Sequence, residues 1–204
     1  MPPAQVAVQM PAAPAPPKPV TFGNLLFPEN IDFAFPPATI TTTNNREFEQ
    51  VRDFYVETAE YVSSKLTQYA QIFIVKKPVT LQSIGLALHR FGGQGTLWID
   101  LYRDDNGTPG ERIATSDMVD AEALSLRPGY RWQDFPFAGD VVVLEPGSYW
   151  IGLGYTGDPI INWYFTYGKP VGPFHGTRYK GVYEENWSGA MAYEFNYRVT
   201  GITR

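Results

Sequence analysis

From Gln68 onward the large apolar residues of this chain recur at every second position, in short runs punctuated by Gly, Pro, Asn and Asp. In SIGLALHRF, Ile84, Leu86 and Leu88 fall on one side, with Ser83, Gly85, Ala87 and His89 on the other. In TLWIDLYR, Leu97, Ile99 and Leu101 alternate with Trp98, Asp100 and Tyr102. A repeat of two is the period of a pleated strand with one face buried; a helix would need 3.6. QIFIV, DVVVL, SYWIGLGY and INWYFTY read the same way. MAYEFNYRV is the strictest, with Met191, Tyr193, Phe195, Tyr197 and Val199 inward and Ala192, Glu194, Asn196 and Arg198 outward. Many short strands with turn residues between them, and no amphipathic helices among them, predict an all-β fold. The expected architecture is an antiparallel, jelly-roll-like β-sandwich over residues 67–204.

The first 45 residues differ in kind. Ten of the 18 prolines fall at or before Pro37, and PAAPAPPKP reads as polyproline II. Large apolar residues then follow without a regular period: Phe22, Leu25, Leu26, Phe27, Ile31, Phe33 and Phe35. A free tail exposing so many would be costly in water. Residues 1–45 are therefore expected to form an extended arm that lies on another surface, its own domain or a neighbouring subunit. Residues 46–66 form a connecting segment that fits two descriptions. Asn44 and Glu47 resemble a capping box, and Phe48, Val51, Tyr55, Ala59 and Val62 fall at helical spacing. The runs Phe54-Tyr55-Val56 and Tyr61-Val62 favour a strand instead. One short helix is the expectation there.

The densest cluster of oxygen side chains is YRDDNGTPGERIATS, residues 102–116. Asp104, Asp105 and Asn106 are consecutive and Glu111 arrives early, whereas an EF-hand-type calcium loop spaces its ligands alternately and closes on a distant bidentate Glu. Following a strand, Asp-Asn-Gly and Pro-Gly are turn chemistry. The stretch is expected to be a turn, and no metal or other cofactor is expected.

Other chemistry is thin. A net charge of -5 without a basic patch argues against nucleic acid. There are no cysteines, so disulfides, thiolate metal sites and thiol nucleophiles are out. No apolar run reaches the ~18 residues of a membrane helix, and the N-terminus lacks the basic and apolar regions of an export signal. Only two histidines occur, His89 and His175, in no pattern of a triad or metal site. Glu184 and Glu185 are adjacent and would face opposite ways, and Glu57 and Glu60 have no aromatic subsite beside them. No enzyme is expected.

AQIFIV, VTLQSIGLALHRFGGQGTLWIDLYRDDNGTPGERIATS, WQDFPF and VVVLEPGSYWIGLGY together resemble a β-sandwich module of bacterial surface proteins, of the choice-of-anchor type. That family is similar to the jelly-roll sandwiches of carbohydrate-binding modules, and related modules occur in phage virion proteins. The likeness spans roughly residues 69–200, with DDNGTPG and LEPGSYWIGL its most specific pieces. In the family both motifs are structural, so the resemblance implies a fold and little chemistry.

Trp98, Tyr102 and Trp150 are expected on the non-core face, with Gly85, Ala87, Gly152 and Gly154 beside them. Asp100 and His89 would supply hydrogen bonds there. Such a face could stack sugar rings, receive a neighbouring subunit, or simply pack within the sandwich. The loop YGKPVGPFHGTRYKGVYEENW is a further candidate surface. The expected function is a non-enzymatic structural or assembly protein of a phage-like virion, a capsid decoration or tail-associated module. Its N-terminal arm would contact other virion subunits, and assembly would take place in the host cytoplasm. A homo-oligomer is compatible with this. The alternative is a carbohydrate-binding adhesion module at a cell surface or outside the cell.

Overall fold

A computed structural model describes residues 16–25, 40–43, 47–50, 59–61, 67–124, 126, 130–139, 141–167, 176–181, 183–189 and 193–203. These residues form a jelly-roll-like sandwich of two antiparallel sheets around one apolar core. The chain crosses repeatedly between the sheets. The first sheet holds β1 (Lys18–Asn24), β4 (Ala59–Tyr61), β6 (Val79–Gly92), β10 (Arg131–Pro136), β11 (Val143–Leu144), β13 (Ile160–Tyr167), β15 (Tyr193–Phe195) and β16 (Tyr197–Thr203). The second holds β5 (Thr67–Val75), β7 (Gly95–Asp105), β8 (Thr108–Thr115), β9 (Val119–Asp120), β12 (Gly147–Gly157) and β14 (Thr177–Gly181). A separate ribbon pairs β2 (Ile40–Thr43) with β3 (Glu47–Gln50).

The period of two sets which residues meet in the middle. Ile84, Leu86 and Leu88 of β6 share the core with Leu97, Ile99 and Leu101 of β7 and Ile151 and Leu153 of β12. Each such side chain, fully removed from water, contributes roughly 1.5–3 kcal/mol. Aromatic rings close the end near β13, where Trp163 stacks on Phe195 at 4.1 Å between centroids. Its indole N–H donates to the Asn196 carbonyl at 2.8 Å, so the ring is buried without a stranded donor.

DDNGTPG is a turn. Asp105 pairs with Thr108 across a two-residue loop, and Asn106 (φ 51) and Gly107 (φ 84) both occupy the left-handed region. That is the type I′ geometry, whose twist matches the flanking strands and which Asn-Gly favours. The Asp104 carboxylate accepts from the Gly107 N–H at 3.1 Å, which locks the turn from inside.

Four expectations need correction. The segment Lys18–Asn24, expected in an arm, is a strand of the sandwich itself, paired with β16 along its whole length. Pro19 is tolerated because an edge strand has a side on which no N–H is needed. In the connecting segment, Glu47–Gln50 and Ala59–Tyr61 are strands where a helix was expected. Ala59–Tyr61 finds its partner in Asn162–Tyr164 of β13, and tertiary pairing of this kind overrides local periodicity. The run DVVVL is strand only at Val143–Leu144. Finally, MAYEFNYRV breaks at Asn196, where the chain changes partner from β13 to β6. Glu194 and Asn196, expected to face water, are buried. Asn24 covers them: its amide donates to the Thr166 hydroxyl (2.8 Å) and the Glu194 carbonyl (3.2 Å), and its carbonyl accepts from the Asn196 amide (3.0 Å).

Candidate functional site

The expected aromatic face exists on the outside of the second sheet, but its composition differs from the expectation. Register places Arg178, Ala70, Gly152, Asp100 and Thr115 in one row across β14, β5, β12, β7 and β8. The next row carries Ile72, Trp150, Tyr102 and Arg112. Trp98 stands opposite Gly154.

The two glycines explain why the rings lie as they do. A Cβ at Gly154 would sit 2.4 Å from Trp98 ring atoms, and one at Gly152 would sit 2.9 Å from the Tyr102 ring. The bare backbone is therefore covered by the chain's own aromatics, and no outside ring is needed to fill the space. Trp98 is pinned through its indole N–H, which donates to Asp100 at 3.1 Å. Asp100 is buried and also accepts from the Thr115 hydroxyl (2.7 Å) and Arg112 (3.4 Å). Those internal donors take up most of the acceptor capacity a sugar hydroxyl would use. Tyr102 is half-buried; burial first, then the Asp100 charge, push its phenol up to about 12.

Trp150 was expected to be available, yet it is fully buried. It packs with Ala70 and Ile72, beneath Tyr102 and Trp187, and the Arg178 guanidinium lies 5.4 Å from its ring centre. Its N–H donates to Asp104 at 2.7 Å, which ties the hairpin turn to the sheet. Trp187 meets Tyr102 edge-on at 6.0 Å, and the Lys180 ammonium sits 5.0 Å from the Trp187 ring centre.

His89 does not belong to this face. It lies on the outside of the first sheet, opposite in the sandwich, so it cannot share a ligand with Trp98 or Asp100. It does point away from the core, as expected, but it is buried between Phe91 (4.1 Å) and Tyr130 (5.7 Å). Burial first, then the Arg131 charge, hold its imidazole below the ordinary value. Gly85 is likewise under cover, from Asp134 and Arg198, which pair at 2.6 Å. His175 lies outside the described residues.

Sequence reasoning missed Arg112, Thr115, Arg178 and Lys180 on the outer face of the second sheet. Two register shifts in the β7–β8 pair bring Arg112 and Thr115 beside Asp100, and no periodicity announces a bulge. Trp187 was within reach, since it ends the aromatic-rich loop singled out from composition.

The N-terminal apolar residues divide. Phe22 packs against the core, its ring 6.4 Å from Phe73, so it serves its own sandwich and is not free to reach a neighbour. Leu25 is 42% exposed. Leu26, Phe27, Ile31, Phe33 and Phe35 lie outside the described residues. Beside β1 runs an apolar seam of ≈ 590 Å³ whose walls include Phe22, Leu25, Ile74 and Val79, with Lys76 and Lys77 at its rim. Ile74, at 40% exposure, is turned outward there.

Among the described residues, no three His, Asp or Glu side chains converge in a way that could hold a metal ion. No protein-family model matches the chain, and no curated protein sequence matches it.

Proposed function

We propose that this chain is a non-enzymatic structural module of a phage-like virion, a capsid decoration or tail-associated sandwich that docks through its N-terminal side. The observation that carries this reading is the seam beside β1, where exposed Leu25 and Ile74 border an apolar trough with a cationic rim. Among the described residues nothing covers the trough, and an open apolar trough marks a contact surface. The residues that follow Leu25 extend the same apolar character in sequence, through Phe27, Ile31 and Phe33. Docking through a small groove and an extended segment adds buried area without a large globular interface, and many copies on a particle multiply a weak contact.

The test is recovery of the chain in purified particles of the genome that encodes it, by mass spectrometry. A variant with Leu25→Ser, Phe27→Ser and Phe33→Ser is expected to fold and to be lost from particles. Full recovery of that variant, or absence of the wild-type chain from particles, defeats the reading. Deleting residues 1–40 is unsuitable because it removes β1 and tests folding instead.

A glycan-binding module is the second reading. Trp98 favours it: the ring lies half-buried over Gly154 and shares Asp100 with Arg112, whose side chain is 60% exposed. Binding on a glycan array that disappears with Trp98→Ala would support it, and a blank array would remove it. Trp150→Ala says nothing here, since that ring is buried structure.

A further inference from the structure

We infer that the seam beside β1 is a receptor for one extended strand of a neighbouring protein, apolar at alternate positions and acidic at its flanks. This rests on the assembly reading and names its contact. Three features of the seam converge on it.

The first is backbone. Among the described residues β1 has β16 on one side and no strand on the other. Among the described residues the end of β5 is open too: β14 pairs only as far as Gln71, the Ile72 N–H goes to the Gly176 carbonyl, and Phe73–Val75 then has β12 on one side alone. An open edge holds out alternate N–H and C=O groups. Pro19 has no N–H to exchange with its opposite residue Ile202, which makes that a non-hydrogen-bonded pair. The alternation then turns the N–H and carbonyl of Thr21 to the open side.

The second is the floor. Phe22, Val79, Leu25 and Ile74 give it a continuous apolar lining that alternate side chains of an added strand would cover. The third is charge. Lys76 and Lys77 are exposed at the rim, and among the described residues no carboxylate lines the seam, although acids outnumber bases 21 to 16 in the chain. A cationic rim on an acidic protein selects an acidic flank. A helix arrives with its backbone already satisfied and an acyl chain has none, so neither uses the open edges.

The experiment is an NMR shift titration of the full chain with three synthetic heptapeptides, EITVTVE, KITVTVK and EITPTVE, up to about 1 mM. The first is expected to move the amides of Thr21, Phe22 and Ile74. The second should bind about threefold more weakly, and the third, whose proline removes a donor and bends the strand, not at all. Lys76→Glu with Lys77→Glu should invert the order of the first two. Silent seam amides, or shifts indifferent to the proline, overturn the proposal. So does a seam that responds only after residues 26–39 are deleted, because the chain then fills it itself. Self-association relieved by peptide, seen in sedimentation velocity, overturns it in favour of a second copy. Equal displacement by dodecanoate overturns it in favour of an acyl chain. None of these readouts involves a particle, so a failure here is distinct from failure of the incorporation test.

Discussion

At Gly154 and Gly107, glycine is required for two different physical reasons, and substitution separates them. At Gly154 the constraint is space. Alanine must push the Trp98 ring off the sheet and away from Asp100; urea unfolding is expected to show a loss of about 1–3 kcal/mol, with a shift in tryptophan emission. At Gly107 the nearest atom to an added Cβ is 3.7 Å away, so there is room. The cost of Gly107→Ala is conformational, from holding a side chain at φ 84, and should come to about 1 kcal/mol without any spectral change. Asp104→Ala strands the buried Trp150 N–H, and about 1–3 kcal/mol is expected from the same measurement.

At the scale of elements, the strands that were legible are those buried on one side by sheet-long partners: β5, β6, β7, β12 and β13. Their alternation is a direct imprint of the pleat. β1 was not legible because Pro19 and Gly23 sit inside it and its partner lies some 180 positions downstream, Lys18 opposite Thr203. The break at Asn196 was hidden for a related reason. Alternation records which side of the chain is buried, not which strand lies beside it, and a polar residue can be buried by other polar residues. The outer faces were half legible. Trp98, Asp100 and Tyr102 do share one, but assigning His89 to it required knowing that β6 and β7 belong to different sheets. The role of β1 as part of the body is testable by truncation. Removing residues 1–15 should change unfolding free energy by less than about 0.5 kcal/mol. Removing residues 1–24 should cost about 3 kcal/mol or more, through Val20 and Phe22, read by chemical denaturation.

For the molecule as a whole, acid is the condition most informative about packing. His89 is held neutral below 6.5 in the folded state, whereas the unfolded chain binds its proton normally. The unfolded state therefore takes up more protons as pH falls below about 6.5, and stability drops with it, at most ~1.4 kcal/mol per pH unit. His89→Gln is expected to flatten the dependence of the urea midpoint between pH 7.5 and the folded value. If the slope survives in the variant, another group governs it. One further property of the architecture concerns force. Lys18 lies directly opposite Thr203, so the start of β1 and the end of β16 sit side by side at the foot of β6, whose other end at Gly92 stands about 44 Å away at the usual rise per residue. Tension that drew Lys18 and Thr203 apart would open β1 from β16 like a zipper, breaking one rung at a time. The same pair pulled lengthwise would have to yield many rungs together. The β1–β16 pair therefore yields to a pull that parts Lys18 from Thr203, and holds against one that draws both along the strands.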